Sequence, residues 1–426
     1  MSARCGHVCR RCWSSRRLLW QPPVLTSIKA FQKSCGTILI DMRFAIKRHR
    51  SHSLIRNGRL APFAVLSAVL LAFSIVLSQT PAVAQQSDIF AVAAFPVDET
   101  AANEVKAKEQ AVSQGSLQAL QMLLQRLTLE QDWPRLPTVG QDRIDNYIRG
   151  ISFANEKIGG GRYLADVTYR FVPEAVRKLL TDASIPYSET ESRPMVVVPV
   201  MQISDGALLW DEGNTWLSGW VEAELPAGLL PIVVPLGDLA DVAAIGVRQA
   251  LGGEPEALGR IAAKYGAGGV LVAVARPGQV QGGGESLDVR VSAYGPGWDG
   301  TSFSQSYTSS GATEQLPFYK AAAESISRSL LVQWKEANLI RFGEGTQSLQ
   351  VFVPVSGLRD WLSVRDRLAQ VATVRDTVIG RLSMTEAEVD IRYIGDLSRL
   401  QLALSQQKLS LAQDPLDGRW RLTTTP

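Results

Sequence analysis

Residues 348–382 read SLQVFVPVSGLRDWLSVRDRLAQVATVRDTVIGRL, and this stretch decides the fold of the C-terminal part of the chain. Apolar spacing in it predicts a strand, a helix and a second strand, at 349–355, 358–371 and 374–382. The following residues predict a strand, a helix and a last strand, at 387–394, 397–409 and 419–424. The order β-α-β-β-α-β predicts a ferredoxin-like unit over residues 348–425, a fold that by itself implies no function.

Upstream of this unit, the sequence predicts two more domains built from sheets and helices. Residues 88–183 predict an N-terminal α+β domain with the order β-α-β-β-α, in which Gly159, Gly160 and Gly161 form a hairpin turn. The polar stretch 184–194, SIPYSETESRP, predicts a linker. Residues 195–340 predict an α/β domain, with one of its strands over 229–236. The predicted class is therefore α+β, with several small sheet-and-helix domains.

The N-terminal residues have the pattern of an export signal. An uncharged apolar run at 60–77, LAPFAVLSAVLLAFSIVL, follows a basic stretch and precedes Ala82-Val83-Ala84. This order predicts a signal peptide over 42–84, cleaved after Ala84, and a periplasmic location. The alternative is an uncleaved run that anchors the protein in the inner membrane. Because Met42 followed by Arg43 would make a normal start, residues 1–41 are interpreted as an over-extended translation start.

Cysteine and histidine are confined to the first 60 residues. All four Cys and all three His lie there, so the predicted mature chain has neither residue type. Its sequence therefore offers no disulfide, no Cys/His zinc site and no catalytic triad with a His base. The spacing of Cys5, Cys9 and Cys12 is typical of iron–sulfur ligands, but these residues precede the export signal. We expect no metal, no cofactor and no catalytic residue, and hence not an enzyme.

The charge of the chain changes once the N-terminal residues are set aside. Residues 1–84 contain 13 of the 44 Lys and Arg residues and one of the 41 Asp and Glu residues. The remaining residues thus carry 31 basic and 40 acidic side chains, a net charge of −9. An acidic chain lacks the basic surface that nucleic acids require, so no nucleic-acid partner is expected.

The stretch LWDEGNTWLSGW, residues 209–220, is the one candidate ligand or interaction patch. Its members are Trp210, Asp211, Asn214, Trp216 and Trp220. Aromatic rings beside acids could bind or hydrolyse a glycan. The alternative is structural, because Trp216 and Trp220 are four residues apart on one helical face and Asn214 suits a helix N-cap. Lys264 beside Tyr265 is a second candidate, either a buried base or a solvated helix lysine.

Several of these stretches resemble a known family. FAVAAFPVDETAANEVKAKEQAV and YLADVTYRFVPEAVRKLL in the first domain, with VVVPVM, LWDEGNTW, PIVVPLGDLADV and YGAGGVLVAVA in the second, are similar to a Gram-negative envelope family catalogued as domain of unknown function 2066. The resemblance covers most of residues 88–410. It implies an exported protein of no established activity, and its motifs carry no site residues.

Taken together, the sequence predicts a non-catalytic interaction or assembly protein of the periplasm, with envelope proteins as partners. A periplasmic protein that binds or hydrolyses glycan through residues 210–220 is one alternative. A signal-anchored inner-membrane protein is the other, and contact with the membrane is expected only through an uncleaved signal segment.

Overall fold

The computed structural model describes residues 88–426, apart from 227, 281–282, 299, 310–313, 342, 344 and 426. The predicted translation start, the signal segment 42–84 and its cleavage after Ala84 therefore lie outside the described residues. Three sheets, each with helices packed on it and with apolar side chains buried against those helices, make up the described part. The predicted α+β class with several sheet-and-helix units is confirmed.

The N-terminal domain is a three-stranded antiparallel sheet in the order β1-β3-β2. Its elements are β1 (Ala91–Thr100), α1 (Glu104–Leu127), β2 (Ile148–Gly159), β3 (Arg162–Phe171) and α2 (Pro173–Asp182). Short 3-10 helices at Glu130–Arg135 and Ile144–Tyr147 lie between α1 and β2. The β-α-β-β-α order agrees with the sequence.

The helix α1 packs closely on β1 and β3 and leaves β2 uncovered. It begins at Asn103, whose side chain accepts a hydrogen bond from the Lys106 N–H at 2.9 Å. Gly115 allows the close approach, because a Cβ there would lie 2.4 Å from the Tyr169 hydroxyl on β3. A single helix covers only about two strands, since helices are about 10 Å wide and strands lie about 4.8 Å apart.

The central domain has a mixed sheet in which β4 and β7 run parallel. Its strands are β4 (Met195–Ile203), β5 (Gly206–Leu208), β6 (Ile232–Val233), β7 (Gly269–Val280), β8 (Gly284–Tyr294) and β9 (Ser302–Thr308). Its helices are α3 (Thr215–Glu222), α4 (Leu239–Ala244), α5 (Val247–Gly252), α6 (Pro255–Lys264) and α7 (Gln315–Ala337). Helices α3 and α7 cover one face and α4 to α6 the other, so the domain has three layers. The strand predicted over 229–236 is limited to the two residues of β6.

The C-terminal domain has the predicted β-α-β-β-α order, followed by two strands where the ferredoxin-like pattern has one. Its elements are β10 (Thr346–Pro354), α8 (Leu358–Leu368), β11 (Val374–Leu382), β12 (Glu386–Ile394), α9 (Leu397–Gln406), β13 (Leu409–Gln413) and β14 (Trp420–Thr424). The sheet order is β11-β12-β10-β14-β13. The predicted last strand, β14, runs parallel to β10, so the sheet departs from the antiparallel ferredoxin-like sheet at this position. The helix predicted to reach residue 409 ends three residues earlier, because Lys408 adopts a left-handed conformation and Leu409 begins β13.

Residues 184–194, the interdomain segment, connect the first two domains and are largely buried. Ser188, Glu189, Thr190 and Ser192 are all less than 5% exposed. The Ser188 N–H donates to the Leu127 carbonyl at the end of α1, and Trp334 Nε1 on α7 donates to the Thr190 carbonyl at 2.7 Å. This linker is therefore held by both domains that it joins.

Candidate functional site

The tryptophan stretch at 210–220 lies mainly inside the central domain. Trp216 and Trp220 are 0% and 1% exposed and meet edge to face, with ring centroids 5.6 Å apart. Trp216 Nε1 donates to the Ala273 carbonyl on β7 at 3.0 Å. Rings buried in this way stabilise the domain by packing, and neither has a face that a ligand in solvent could contact.

The polar members of the same stretch are engaged in local structure. Asn214 caps α3 by accepting a hydrogen bond from the Leu217 N–H, and its amide donates to the Pro199 and Leu209 carbonyls. Asp211 is exposed and accepts a hydrogen bond from the Leu209 N–H at 3.2 Å. Trp210 is half-buried and donates to the Ile245 carbonyl at 2.9 Å. The structure thus brings these residues together around the start of α3, where their polar groups serve local hydrogen bonds.

Lys264, the other candidate from the sequence, is an ion-paired residue. Its Nζ lies 2.5 Å from Asp238 and 2.6 Å from the fully buried Asp241, and the Tyr265 hydroxyl also donates to Asp241. Burial lowers the pKa of Lys264, and the hydrogen bonds to the two aspartates more than offset this and raise that pKa above its ordinary value. A lysine held in its protonated form cannot act as a general base at neutral pH.

An open apolar site lies on the N-terminal domain, between α1 and the uncovered strand β2. This α1–β2 groove has a volume of about 560 Å³. Its apolar lining consists of Val105, Val112, Ile144, Ile148, Ile151 and Phe153. Val105 is 68% exposed and Phe153 38% exposed, so two large apolar side chains face solvent here. Exposed apolar side chains gathered in a groove are typical of a binding surface.

Lys108 holds one wall of the groove in place. Its Nζ lies 2.8 Å from a Glu156 carboxylate oxygen and 4.5 Å from the centre of the Phe153 ring. The Tyr163 hydroxyl donates to the same Glu156 oxygen at 2.9 Å. The hydrogen bond from Lys108 and then that from Tyr163 lower the pKa of Glu156. The phenyl ring thus lies against a cation on α1, which favours this position of the ring at the wall of the groove.

The strand beside the groove has a free edge that can accept another strand. β2 pairs with β3 on one side and with none of the described strands on the other. Its pairing with β3 is regular from Gly150 to Ala154 and shifts register before and after these residues. The opposite edge strand, β1, contains Pro96, which has no N–H, and an irregularity at Ala94, a left-handed residue. The strand β2 has its own left-handed residue, Asn155, but no proline, and its residues 150–154 are regular. Because a proline hinders pairing along β1, residues 150–154 of β2 are the more accessible edge of this sheet.

Acidic side chains border the groove. Glu109 on α1 and Asp145, just before β2, line it and are exposed. Neither makes a salt bridge with another described residue. The groove therefore combines an apolar floor with negative charge at its rim.

Among the described residues, no group of three or more His, Cys, Asp and Glu side chains is placed to bind a metal ion. Within the same part of the chain, no helix is long and apolar enough to cross a membrane.

The sequence alone did not indicate the α1–β2 groove. Ile151 and Phe153 alternate as they would in any strand, and the buried apolar face of α1 lies further along the helix, at Leu120, Leu124 and Leu127. A signal was present in Val105, Lys108 and Val112, which share another face of the helix at spacings of three and four residues. Recognising it requires knowing that α1 leaves β2 uncovered.

Comparison with known proteins assigns no function to this site. No protein-family model and no curated protein sequence matches the chain. The resemblance to the domain of unknown function 2066 family stays a prediction based on the quoted residues.

Proposed function

We propose that this protein is a non-catalytic interaction or assembly module that binds an extended polypeptide segment of an envelope protein in the α1–β2 groove. The segment adds a strand to the free edge of β2 and inserts alternate side chains between α1 and the sheet. The single observation that carries the proposal is the coincidence of an open strand edge with exposed apolar side chains beside it.

Strand addition supplies both affinity and specificity in such a site. Main-chain hydrogen bonds to residues 150–154 provide binding that does not depend on the partner's side chains. Every second side chain of an added strand points to the same face, so the groove selects an apolar residue at alternate positions. The irregular pairing on either side of these residues restricts the added strand to about five residues.

The charge of the rim defines the rest of the partner. Glu109 and Asp145 favour Lys or Arg next to the apolar positions, because opposite charges at a rim steer association and fix register. The partner is therefore an extended, apolar segment with adjacent basic residues. An acidic segment of the same apolar pattern is expected to bind more weakly.

The proposed location in the envelope rests on the sequence of residues 42–84, which predicts export. An uncleaved signal would keep the protein at the inner membrane, and the groove would serve the same purpose there.

Photo-crosslinking tests the proposal in cells of the source organism. A photoreactive phenylalanine analogue replaces Val105 in the groove, and the matched control replaces Val221 on α3, which is 51% exposed. We expect a discrete adduct from position 105 that position 221 does not give. Mass spectrometry should map it to a segment with alternating apolar residues and adjacent Lys or Arg.

A synthetic peptide of the crosslinked segment then separates recognition from mere proximity. The peptide should bind the purified full chain with micromolar affinity, and a peptide of scrambled order should not. Equal adducts at both positions, or equal binding of the two peptides, would contradict the proposal.

A further inference from the structure

A second cleft lies at the other end of α1, where it meets α7 of the central domain. It has a volume of about 340 Å³, within the range of about 300–1,000 Å³ typical of small-molecule sites. Its walls include Met122, Trp133, Leu331 and Val332. Met122 is 47% exposed and Trp133 37% exposed, so the apolar walls are open to solvent.

Two cations, Arg126 and Lys335, line the same cleft. Lys335 is 6% exposed and donates from its Nζ to the Thr128 and Gln125 carbonyls, at 2.7 and 3.1 Å, where α1 ends. The Arg126 guanidinium donates to the Ile89 and Ala91 carbonyls. Both cations therefore have hydrogen-bond acceptors, but those acceptors are neutral.

Neither cation is in a salt bridge with another described residue, although carboxylates lie nearby. Burial lowers the pKa of Arg126, and the charges of Glu191 and Asp88 offset part of this effect. Glu130 also lines the cleft, but it is exposed, and the exposed Arg328 adds a third positive charge at the mouth. Buried charges are normally paired, so two cations beside an open apolar cleft leave a place for an anion.

The titration of Lys335 agrees with this geometry. Burial lowers the pKa of Lys335, the charge of Glu130 offsets part of this and that of Arg126 adds to it, so the pKa is about 8. An anion bound next to Lys335 would raise its pKa again, so binding would be coupled to proton uptake.

We propose that this cleft is a binding site for a single-chain anionic amphiphile, with a carboxylate head on Arg126 and Lys335 and a hydrocarbon chain along Met122, Trp133 and Leu331. The small volume suits one acyl chain with a small head. The polypeptide site in the α1–β2 groove is separate, and neither proposal depends on the other.

Calorimetric titration of the full chain with dodecanoate, below its micellar concentration, tests this site. Dodecanol and dodecyltrimethylammonium carry the same chain with a neutral or a positive head. We expect dodecanoate to bind at least tenfold more tightly than dodecanol, and the cation not to bind. Equal affinity for dodecanoate and dodecanol, or binding of neither, would overturn the proposal.

Variants test whether the ligand binds in the cleft. Lys335→Met should weaken dodecanoate binding about tenfold or more. Because this variant removes a buried contact, Val332→Glu provides a second test that keeps both cations and fills the cleft with a carboxylate. The matched control is Val242→Glu on α4, an exposed valine outside the cleft. Loss of binding in Val332→Glu alone supports the site, and unchanged binding in that variant would refute it.

The pKa of Lys335 gives a readout that a purely structural lysine would not show. The Cε resonance of Lys335, assigned through Lys335→Met, reports its titration by NMR. Saturating dodecanoate should move the midpoint above its value in the free protein. A midpoint that does not move while dodecanoate is bound would show that the head group lies elsewhere.

Discussion

In most folded proteins apolar residues are buried and polar residues are exposed. The interdomain segment and the α1–β2 groove depart from this pattern in opposite ways. The segment buries polar and charged side chains, among them Glu189 and Ser188, where three domains meet. The groove leaves Val105 and Phe153 exposed on the surface of one domain. Buried polar groups and exposed apolar groups are the two informative exceptions in a folded protein.

The two regions differ in their structural role. A buried carboxylate is costly unless it is paired, so Glu189 tolerates only one arrangement of its partners. Its two oxygens accept from Arg177 of the N-terminal domain at 2.7 Å and Arg375 of the C-terminal domain at 3.1 Å. The segment thus fixes how the domains meet, whereas Val105 and Phe153 at the groove remain exposed to solvent.

Replacement of Glu189 by alanine tests the role of the interdomain segment in stability, and it has the largest expected effect. It leaves two arginines without their shared carboxylate, and we expect a loss of about 3 kcal/mol in the free energy of unfolding. The estimate is at the low end for buried pairs because Arg177 and Arg375 are about a quarter exposed. Urea denaturation followed by circular dichroism measures the effect.

Glu174→Ala is the matched control, since Glu174 pairs with the same Arg177 at 3.4 Å but is 79% exposed. We expect this exposed pair to contribute no more than about 0.5 kcal/mol. Similar losses in the two variants would mean that burial at the junction has no special role.

Lys335 should make a contribution to stability that rises with pH. Its pKa of about 8 in the folded chain lies below the ordinary value of 10.5, so between these values the unfolded chain binds more protons. We expect the free energy of unfolding to increase by about 2 kcal/mol from pH 8 to 10, relative to the Lys335→Met variant. A difference that is constant over this range would show that Lys335 titrates normally.

Charge reversal at the groove should change binding and not stability. In Glu109→Lys combined with Asp145→Lys, we expect the affinity for the crosslinked peptide to fall about tenfold, or about 1.4 kcal/mol. Both side chains are exposed and without salt bridges to described residues, so stability should change by less than about 0.5 kcal/mol.

The control for the double charge reversal in the groove is Glu222→Lys combined with Glu256→Lys. It changes the net charge by the same amount at exposed sites outside the groove. A tenfold loss of affinity in the control as well would assign the effect to net charge rather than to the rim.

The sequence predicted helices and strands well where the spacing of apolar residues was clear. It failed where the same apolar residues are compatible with two different structures. The ferredoxin-like order followed from alternating strand and helix periods. Leu229 and Leu230 are buried in the central domain outside any strand, so an apolar run suggested a longer strand than β6. The strand β13 was missed because its first residue continues the apolar spacing of α9.

The candidate sites were harder to predict than the fold. Asn214 was correctly identified as suited to a helix N-cap. The burial of Glu189 was not predicted, because SIPYSETESRP is polar and its contacts come from residues far away in sequence, such as Arg375 and Trp334. The groove likewise depends on which strands α1 covers, and this cannot be predicted from amino-acid composition.

Amide hydrogen exchange of the full chain, with and without the crosslinked peptide, tests the central claim most directly. Strand addition protects backbone N–H groups at the free edge of β2, so exchange within residues 150–154 should slow at least tenfold when the peptide binds. The interdomain segment 184–194 is buried in either state and should not change. Protection elsewhere with none in β2 would contradict the α1–β2 groove as the site of partner binding.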